Sequence, residues 1–459
     1  MPSPTITWKN MGKFFADFAS LMWGPWLLIL LLGAGLWLTF RLGGIQFRKL
    51  FYAFRLTFSK ERSGKGDISH FGSLMTAMAA TVGMGNIAGV STAVALGGPG
   101  AIFWMWMTGL VGMATKYSES FLAVKYRQFN EEGEISGGPM YYLEHGLGQK
   151  WLGMCFAAFG ALAAFGIGNM IQANTTATAV AEAMGSGKFA MGIVLSVLTG
   201  LVIIGGIKRI AEVASYFVPI MVAIYLIGAL VVIFSNLDHL GSGIQLIFEH
   251  AFSGTAATGG FLGASLAQTI RFGVARGLFS NESGMGSAPI AAAAAKTNHP
   301  GKQALVSMSG TFLDTLVVCS LTALALSSSG VWVSGETGVA LTMQAFTGSL
   351  SGNWGSLLVT LSAVTFAFSS ILAWEYYGEK CFEYLFGEKW VHFYRYLWVI
   401  FVFVGAMVKL EIVWNFSDAM NAMMTVPNLI GLILLSGKLS KETQAFEVGI
   451  REGTIDKFD

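Results

Sequence analysis

The chain reads TVGMGNIAGVSTAVA from Thr81 to Ala95 and ESGMGSAPIAAAAA from Glu282 to Ala295. Each stretch carries a Gly-Met-Gly triplet, Gly83–Gly85 and Gly284–Gly286, within small apolar residues, and each triplet is followed by a polar residue, Asn86 or Ser287. Glycine weakens a helix by about 1 kcal/mol relative to alanine, so two glycines around one residue favour unwinding. In hydrocarbon an unpaired backbone polar group costs several kcal/mol. Unwound backbone there needs another partner, such as a bound ion or a polar substrate. Close helix–helix packing would explain one such triplet. Two at corresponding places point instead to a pair of interrupted helices, which mark the midplane binding site of a transporter.

Composition supplies the membrane. Of 459 residues, 54% are hydrophobic and only 12% charged, about half the charged share of an ordinary soluble domain. Eleven apolar stretches are each about long enough to cross a bilayer: 21–40, 71–96, 100–124, 151–181, 189–206, 210–235, 262–295, 303–328, 354–377, 391–408 and 413–436. The triplets fall in the second and seventh. They are five spans apart, an odd number, so the second copy enters from the opposite face. The expected architecture is an all-α membrane protein of eleven transmembrane helices. One extra N-terminal helix precedes a 5+5 inverted repeat with two broken helices. Residues 1–69 hold an interfacial helix (8–20), the first span and a basic loop. The transporter core is 70–436, with repeat one at 70–235 and repeat two at 262–436, and 437–459 form a polar tail.

Charge tests this count. Twenty of the 28 lysines and arginines fall on one side, four on the other and four within spans. That asymmetry puts the N-terminus outside and the C-terminus in the cytosol. A net charge of +2 gives no reason to expect a nucleic-acid partner. Cys155, Cys319 and Cys381 are expected as buried apolar thiols. No signal-peptide pattern is visible at the N-terminus.

The longer motifs carry a resemblance. GGPGAIFWMWMTGLVG (97–112), GMGNIAGV (83–90), GGPMYY (137–142), GNMIQANT (168–175), ARGLFSNESGMGSAPIAAAAAKTNHP (275–300) and GTFLDT (310–315) are similar to recurring blocks of the alanine or glycine:cation symporters. That family is a branch of the transporters with the LeuT-type fold, and the likeness covers about residues 20–436. The resemblance implies sodium-coupled symport of a small neutral amino acid across a bacterial or archaeal cytoplasmic membrane. It also implies a first core helix broken at Gly83-Met84-Gly85-Asn86, a sixth capped by Phe279, and hydroxyls on the ninth span, TFAFSS (365–370), that face sodium.

A zwitterion needs opposite fields at its two ends. The half-helix beginning near Gly85 offers N–H groups and a positive dipole end to a carboxylate. The half-helix ending at Phe279, Ser280 and Asn281 offers carbonyls to the ammonium. On the fourth span Phe165, Asn169 and Gln172 recur at helical spacing, with Gln172 the expected direct contact. Thr81, Phe279, Met285 and Trp374 complete the expected pocket. Its aromatic walls suit alanine, glycine or serine better than leucine. Sodium takes oxygen ligands. Those expected are the carbonyls of Ala79, Val82 and Phe366 and the hydroxyls of Ser369 and Ser370, although such hydroxyls often bond the carbonyl one turn back. Lys116, Glu119, Arg271, Arg276, Glu282, Asp314 and Glu375 also fall within spans. Pairing inside the bundle is the default for them, with Arg276 expected near Glu282 or Asp314, and Asp314 available to a second cation or a proton.

Three alternatives compete with sodium symport. The first is proton coupling of the same cycle. The second is a membrane-embedded enzyme, against which stand the absence of H-E-x-x-H and of a G-x-x-x-x-G-K-[ST] phosphate loop. The third is a channel, which the repeat within one chain disfavours. No enzymatic cofactor is expected, and sodium is the expected coupling ion.

Overall fold

In the computed structural model, residues 8–59, 64–130, 133–184, 187–256, 261–408 and 411–456 are described. The chain is built almost wholly of helix. We number the principal helices in chain order: α1 Trp8–Met22, α2 Pro25–Arg41 and α3 Ile45–Thr57; α4 His70–Thr81, α5 Gly85–Gly97, α6 Ala101–Lys125 and α7 Lys150–Ala181; α8 Lys188–Ile203, α9 Gly206–Ser235 and α10 Leu237–Ser253; α11 Leu266–Asn281, α12 Pro289–Ala293, α13 Pro300–Ser329 and α14 Gly338–Ser349; and α15 Trp354–Phe386, α16 Val391–Met407 and α17 Glu411–Glu452.

Each apolar stretch of the sequence contains helix. Among the described residues, six helices are long and apolar enough to cross a membrane, or up to eight if each bent pair is one span. Three helices, the amphipathic α3 and α10 and the shorter α14, stand outside the predicted spans. The last helix runs on to Glu452, through most of what the sequence suggests as a tail.

Local chemistry sets the helix starts. Ser69 caps α4 by accepting from the Gly72 N–H at 3.0 Å. Ser265 and Gln268 form a reciprocal capping box at α11. Prolines open α12 and α13, where the missing N–H costs nothing. His299 caps α13 through Nδ1, which accepts from the Gly301 N–H at 3.0 Å. Burial, aided by the Lys302 charge, pushes its imidazole down to about 4 and keeps it a neutral acceptor at pH 7.

The two interrupted elements sit at the centre. α4 and α5 are bent 51° apart across residues 82–84, and α11 and α12 are separated by residues 282–288. α6 packs along both α11 and the first half of α13, while α9 and α15 pack on α4. At one end, Lys65 and Ile68 make isolated bridges to Thr297 and Ala295. A short hairpin, β1 Gln128–Phe129 against β2 Ile135–Ser136, lies beside them.

Candidate binding site at the two helix breaks

The first break begins at Val82, whose ψ of 90° leaves the helix. The Gly83 N–H, freed from the ladder, donates to Asn86 Oδ1 at 2.9 Å. The Ala79 carbonyl accepts instead from Ser369 Oγ and Ser370 Oγ on α15, both at 3.2 Å. The same hydroxyls donate to the Phe366 carbonyl at 2.9 and 3.0 Å. Four of the five residues expected to face sodium therefore meet as a buried mesh of oxygens. Val82 adjoins it, since a methyl on Gly83 would stand 2.8 Å from Ser370 Oγ. Carbonyls and hydroxyls without a formal charge are donors of the type that hold a monovalent cation at an unwound helix.

The second break works differently. Glu282, Gly284 and Gly286 take positive φ values of 54°, 91° and 84°, whereas neither glycine of the first triplet does. Left-handed backbone costs an ordinary residue about 1–2 kcal/mol, so the second pair of glycines is conformational and the first pair serves close approach. Side chains from distant helices hold the freed backbone. The Gly286 N–H donates to Glu119 Oε1 at 3.0 Å, and Asn428 Nδ2 donates to the Gly284 carbonyl at 2.8 Å. Asn428 also donates to Glu119 at 2.6 Å and accepts from the Tyr142 hydroxyl. The sequence places Glu119 only among the span residues expected to pair inside the bundle, and singles out no role for Asn428. Nothing local marks them, for Asn428 lies 144 positions from Gly284.

Asp314 joins the two breaks. It lies in a π-helical stretch of α13, Phe312–Cys319. Its carboxylate accepts from Asn86 Nδ2 at 2.7 Å, Ser280 Oγ at 2.8 Å and Thr315 Oγ1 at 2.8 Å. Asn281 Nδ2 donates to Thr315 Oγ1 at 3.1 Å, and Asn281 Oδ1 accepts from the Ser283 N–H at 3.0 Å. The side chains of Asn86, Ser280 and Asn281 are thus committed to this network. What remains at those positions for a ligand is main chain. Lys116 is buried near the carboxyl groups of Glu119, Glu282 and Asp314, and its ammonium makes no hydrogen bond among the described residues.

The other expected pocket residues divide. Gln172 is buried, with Nε2 donating to the Ile167 carbonyl at 3.0 Å and Oε1 without a donor among the described residues. Trp374 packs on Gly168, where a methyl would come within 2.1 Å of its Cβ. Met285 is buried in the second break. Phe165 and Asn169, expected on one face with Gln172, turn towards α16. The Phe165 ring lies 5.1–5.3 Å from Tyr394 and Trp398, and Asn169 Nδ2 donates to the Trp398 carbonyl at 2.9 Å. The cause is a π-helical segment, Ala164–Met170, whose wider turn breaks the 3.6-residue period on which the shared face depended. Thr81 donates to the Ala77 carbonyl in its own helix at 3.1 Å.

Arg276 pairs with neither Glu282 nor Asp314. Glu282 is held by Ser287 at 2.5 Å, and Asp314 is already saturated. The Arg276 guanidinium instead sits 5.8 Å over the Phe279 ring, near Asp418. These residues line a cavity of about 200 Å³ that also meets Trp23 of the N-terminal segment. Phe279 is part of its lining, and a methyl on Gly85 would stand 3.0 Å from Ser280 Cα and 3.4 Å from the Phe279 ring. A second hollow of about 430 Å³, lined by Thr175, Thr178, Thr360 and Ala363, lies one or two turns from Gln172 and Ser369 along their own helices.

Residues 8–459 match the model of the sodium:alanine symporter family. The chain belongs to that family. It is 52% identical over 438 residues to the sodium/alanine symporter AgcS of Methanococcus maripaludis, an alignment covering 93% of this chain and 95% of the relative. A probable sodium/glutamine symporter of Bacillus subtilis, GlnT, is 40% identical over 91% of this chain and 86% of its own. Among solved structures, that of MhsT in complex with L-phenylalanine superposes with a TM-score of 0.58 at 14% identity, covering 83% of this chain and 99% of that one. The fold is therefore of the LeuT type. As a member of this family the symporter is an integral membrane protein and not an enzyme, and its family implies amino-acid transport coupled to sodium.

Proposed function

We propose that this symporter imports a small neutral amino acid, alanine, glycine or serine, with sodium, by alternating access around the two helix breaks. The observation that carries this is the near-contact of the two broken helices at Gly85 and Ser280, which brings a half-helix N-terminus and a half-helix C-terminus to one point. The N–H groups after Gly85 receive the carboxylate. The carbonyls of Phe279, Ser280 and Asn281 and the free Gln172 Oε1 receive the ammonium, with Phe279, Met285 and Trp374 as walls. Such a site needs no charged side chain for either end of a neutral zwitterion. Glutamine, which the Bacillus relative's name carries, is a longer side chain than these walls suit.

Sodium is assigned to Ala79, Val82, Phe366, Ser369 and Ser370. The four oxygens already in contact support the choice, because the hydroxyls that now donate to Ala79 and Phe366 can rotate, keeping their protons, and turn their lone pairs with those carbonyls onto the ion. This ion links α15 to the first break, so filling it favours the arrangement in which Gly85 is correctly set. The eleven-span layout, with 5+5 inverted repeats and the C-terminus in the cytosol, rests on the opposed triplets and the positive-charge asymmetry. Replacing Ser369 and Ser370 together by alanine tests the ion site. The sodium concentration for half-maximal alanine uptake should rise at least tenfold while the protein remains folded. Unchanged sodium dependence would remove the assignment.

Proton coupling through Asp314 is the second reading, favoured by the position of that carboxylate between both breaks. It predicts uptake driven by a proton gradient without sodium.

A further inference from the structure

We infer that the groove between α3 and the far end of α17 is a binding site for the headgroup of an anionic phospholipid. The sequence of α3, IQFRKLFYAFRLT, places Phe47 and Phe51 on one face with Phe58 just beyond it, and Arg48, Tyr52 and Arg55 on the stripe beside them. Those three phenylalanines are 67%, 86% and 74% exposed. A ridge of bare aromatic rings next to a basic stripe is the pattern of a helix lying in a membrane surface. α3 follows α2 after a gap of three residues, 42–44, so it leaves the bilayer where headgroups meet acyl chains. Its other side is anchored, with Phe54 edge-on to Phe312 of α13 at 5.8 Å.

The last turns of α17 form the opposite wall. Together they enclose a hollow of about 860 Å³ lined by Arg48, Lys49, Tyr52, Arg55, Glu447 and Arg451, among others. Four cationic side chains face one carboxylate. Glu447 is shared between Arg48 at 3.1 Å and Lys49 at 3.8 Å. Arg55 and Arg451 have no ion pair or hydrogen bond among the described residues. Two such guanidiniums aimed into one hollow call for an anion, because the planar fork matches phosphate oxygens. The adjoining phenylalanine ridge selects the source: a phosphate esterified to a lipid brings acyl chains to cover it, which free phosphate cannot. The bound headgroup would join α3, and through it the linker into α4, to the end of α17.

The test uses the full-length protein purified in neutral detergent and titrated with phosphatidylglycerol, phosphatidylcholine or inorganic phosphate, reading thermal stability and lipid retention. Phosphatidylglycerol alone should stabilise it. Arg55→Gln with Arg451→Gln should weaken that binding about fivefold per charge removed, roughly 25-fold together, while Arg55→Lys with Arg451→Lys retains most of it. Equal stabilisation by phosphatidylcholine or by inorganic phosphate would overturn the inference. So would a glutamine double variant that binds phosphatidylglycerol within twofold of the parent.

Discussion

Asp314 bridges the two breaks. Its carboxylate is fully buried and accepts from Asn86 on one broken helix and Ser280 on the other. If its task is to join them, asparagine can substitute. The amide oxygen keeps the Asn86 donor, and the hydroxyls of Ser280 and Thr315 turn to accept from the new amide. Alanine cannot. It leaves Asn86 Nδ2 buried without an oxygen partner other than the Asp314 main-chain carbonyl at 3.3 Å, a loss of about 1–3 kcal/mol. Asp314→Asn should therefore hold sodium-driven alanine uptake within about fivefold of the parent, whereas Asp314→Ala lowers uptake more than tenfold and reduces thermal stability. Abolished uptake in the asparagine variant, with stability intact, would instead favour a proton carried on this carboxylate.

At the scale of elements, the breaks look alike in sequence and differ in mechanics. A methyl on Gly286 meets a positive φ of 84° and stands 2.7 Å from Phe156 and Pro139. Gly286→Ala should cost stability by at least the 1–2 kcal/mol of the strained backbone, seen as a lowered melting midpoint. Gly85→Ala keeps an ordinary backbone and presses on Ser280, so it should depress uptake with a smaller stability loss. The reverse order would contradict this division of roles. Here the sequence was legible in kind but not in detail. Paired glycines at matching places announce interruption, because glycine's helix cost is intrinsic to the residue. They do not announce which interruption turns left-handed, since that depends on what the backbone must pass. The same limit explains Phe165 and Asn169. A period of 3.6 presumes an unbroken α-helix, and the π-helical segment Ala164–Met170, which carries its own Gly166-Ile167-Gly168, rotates the face that the period assumes. The link of Glu119 and Asn428 to the second break was hidden for a simpler reason: only the fold brings them near it.

At the scale of the molecule, one end is laced shut through main chain. Arg127 Nη1 donates to the Ala293 and Ala295 carbonyls, both at 2.8 Å, and Nη2 donates to the Lys65 carbonyl at 2.7 Å. Burial lowers the pKa of its guanidinium while Asp67 opposes the shift. Arg127 thus ties the segment entering α4 to the segment leaving α12, the outer ends of the two broken elements. Arg127→Gln should open that end. A cysteine placed at Ala293 in a cysteine-free background should then react with a membrane-impermeant maleimide at least fivefold faster, and equal rates would deny the lock. The helical membrane character was legible because a bilayer forces long apolar helices, a property of the linear sequence. The lock was not, because backbone pairing between residues 65–68 and 295–297 leaves no side-chain pattern. The family match fits the coarse reading, and the central claim above it is that sodium drives the substrate uphill. Purified protein in liposomes, given labelled alanine with and without an inward sodium gradient, tests this most directly. The account predicts accumulation above the external concentration only with sodium, abolished by a sodium ionophore. Equal accumulation from a potassium gradient, or from a proton gradient alone, would contradict it.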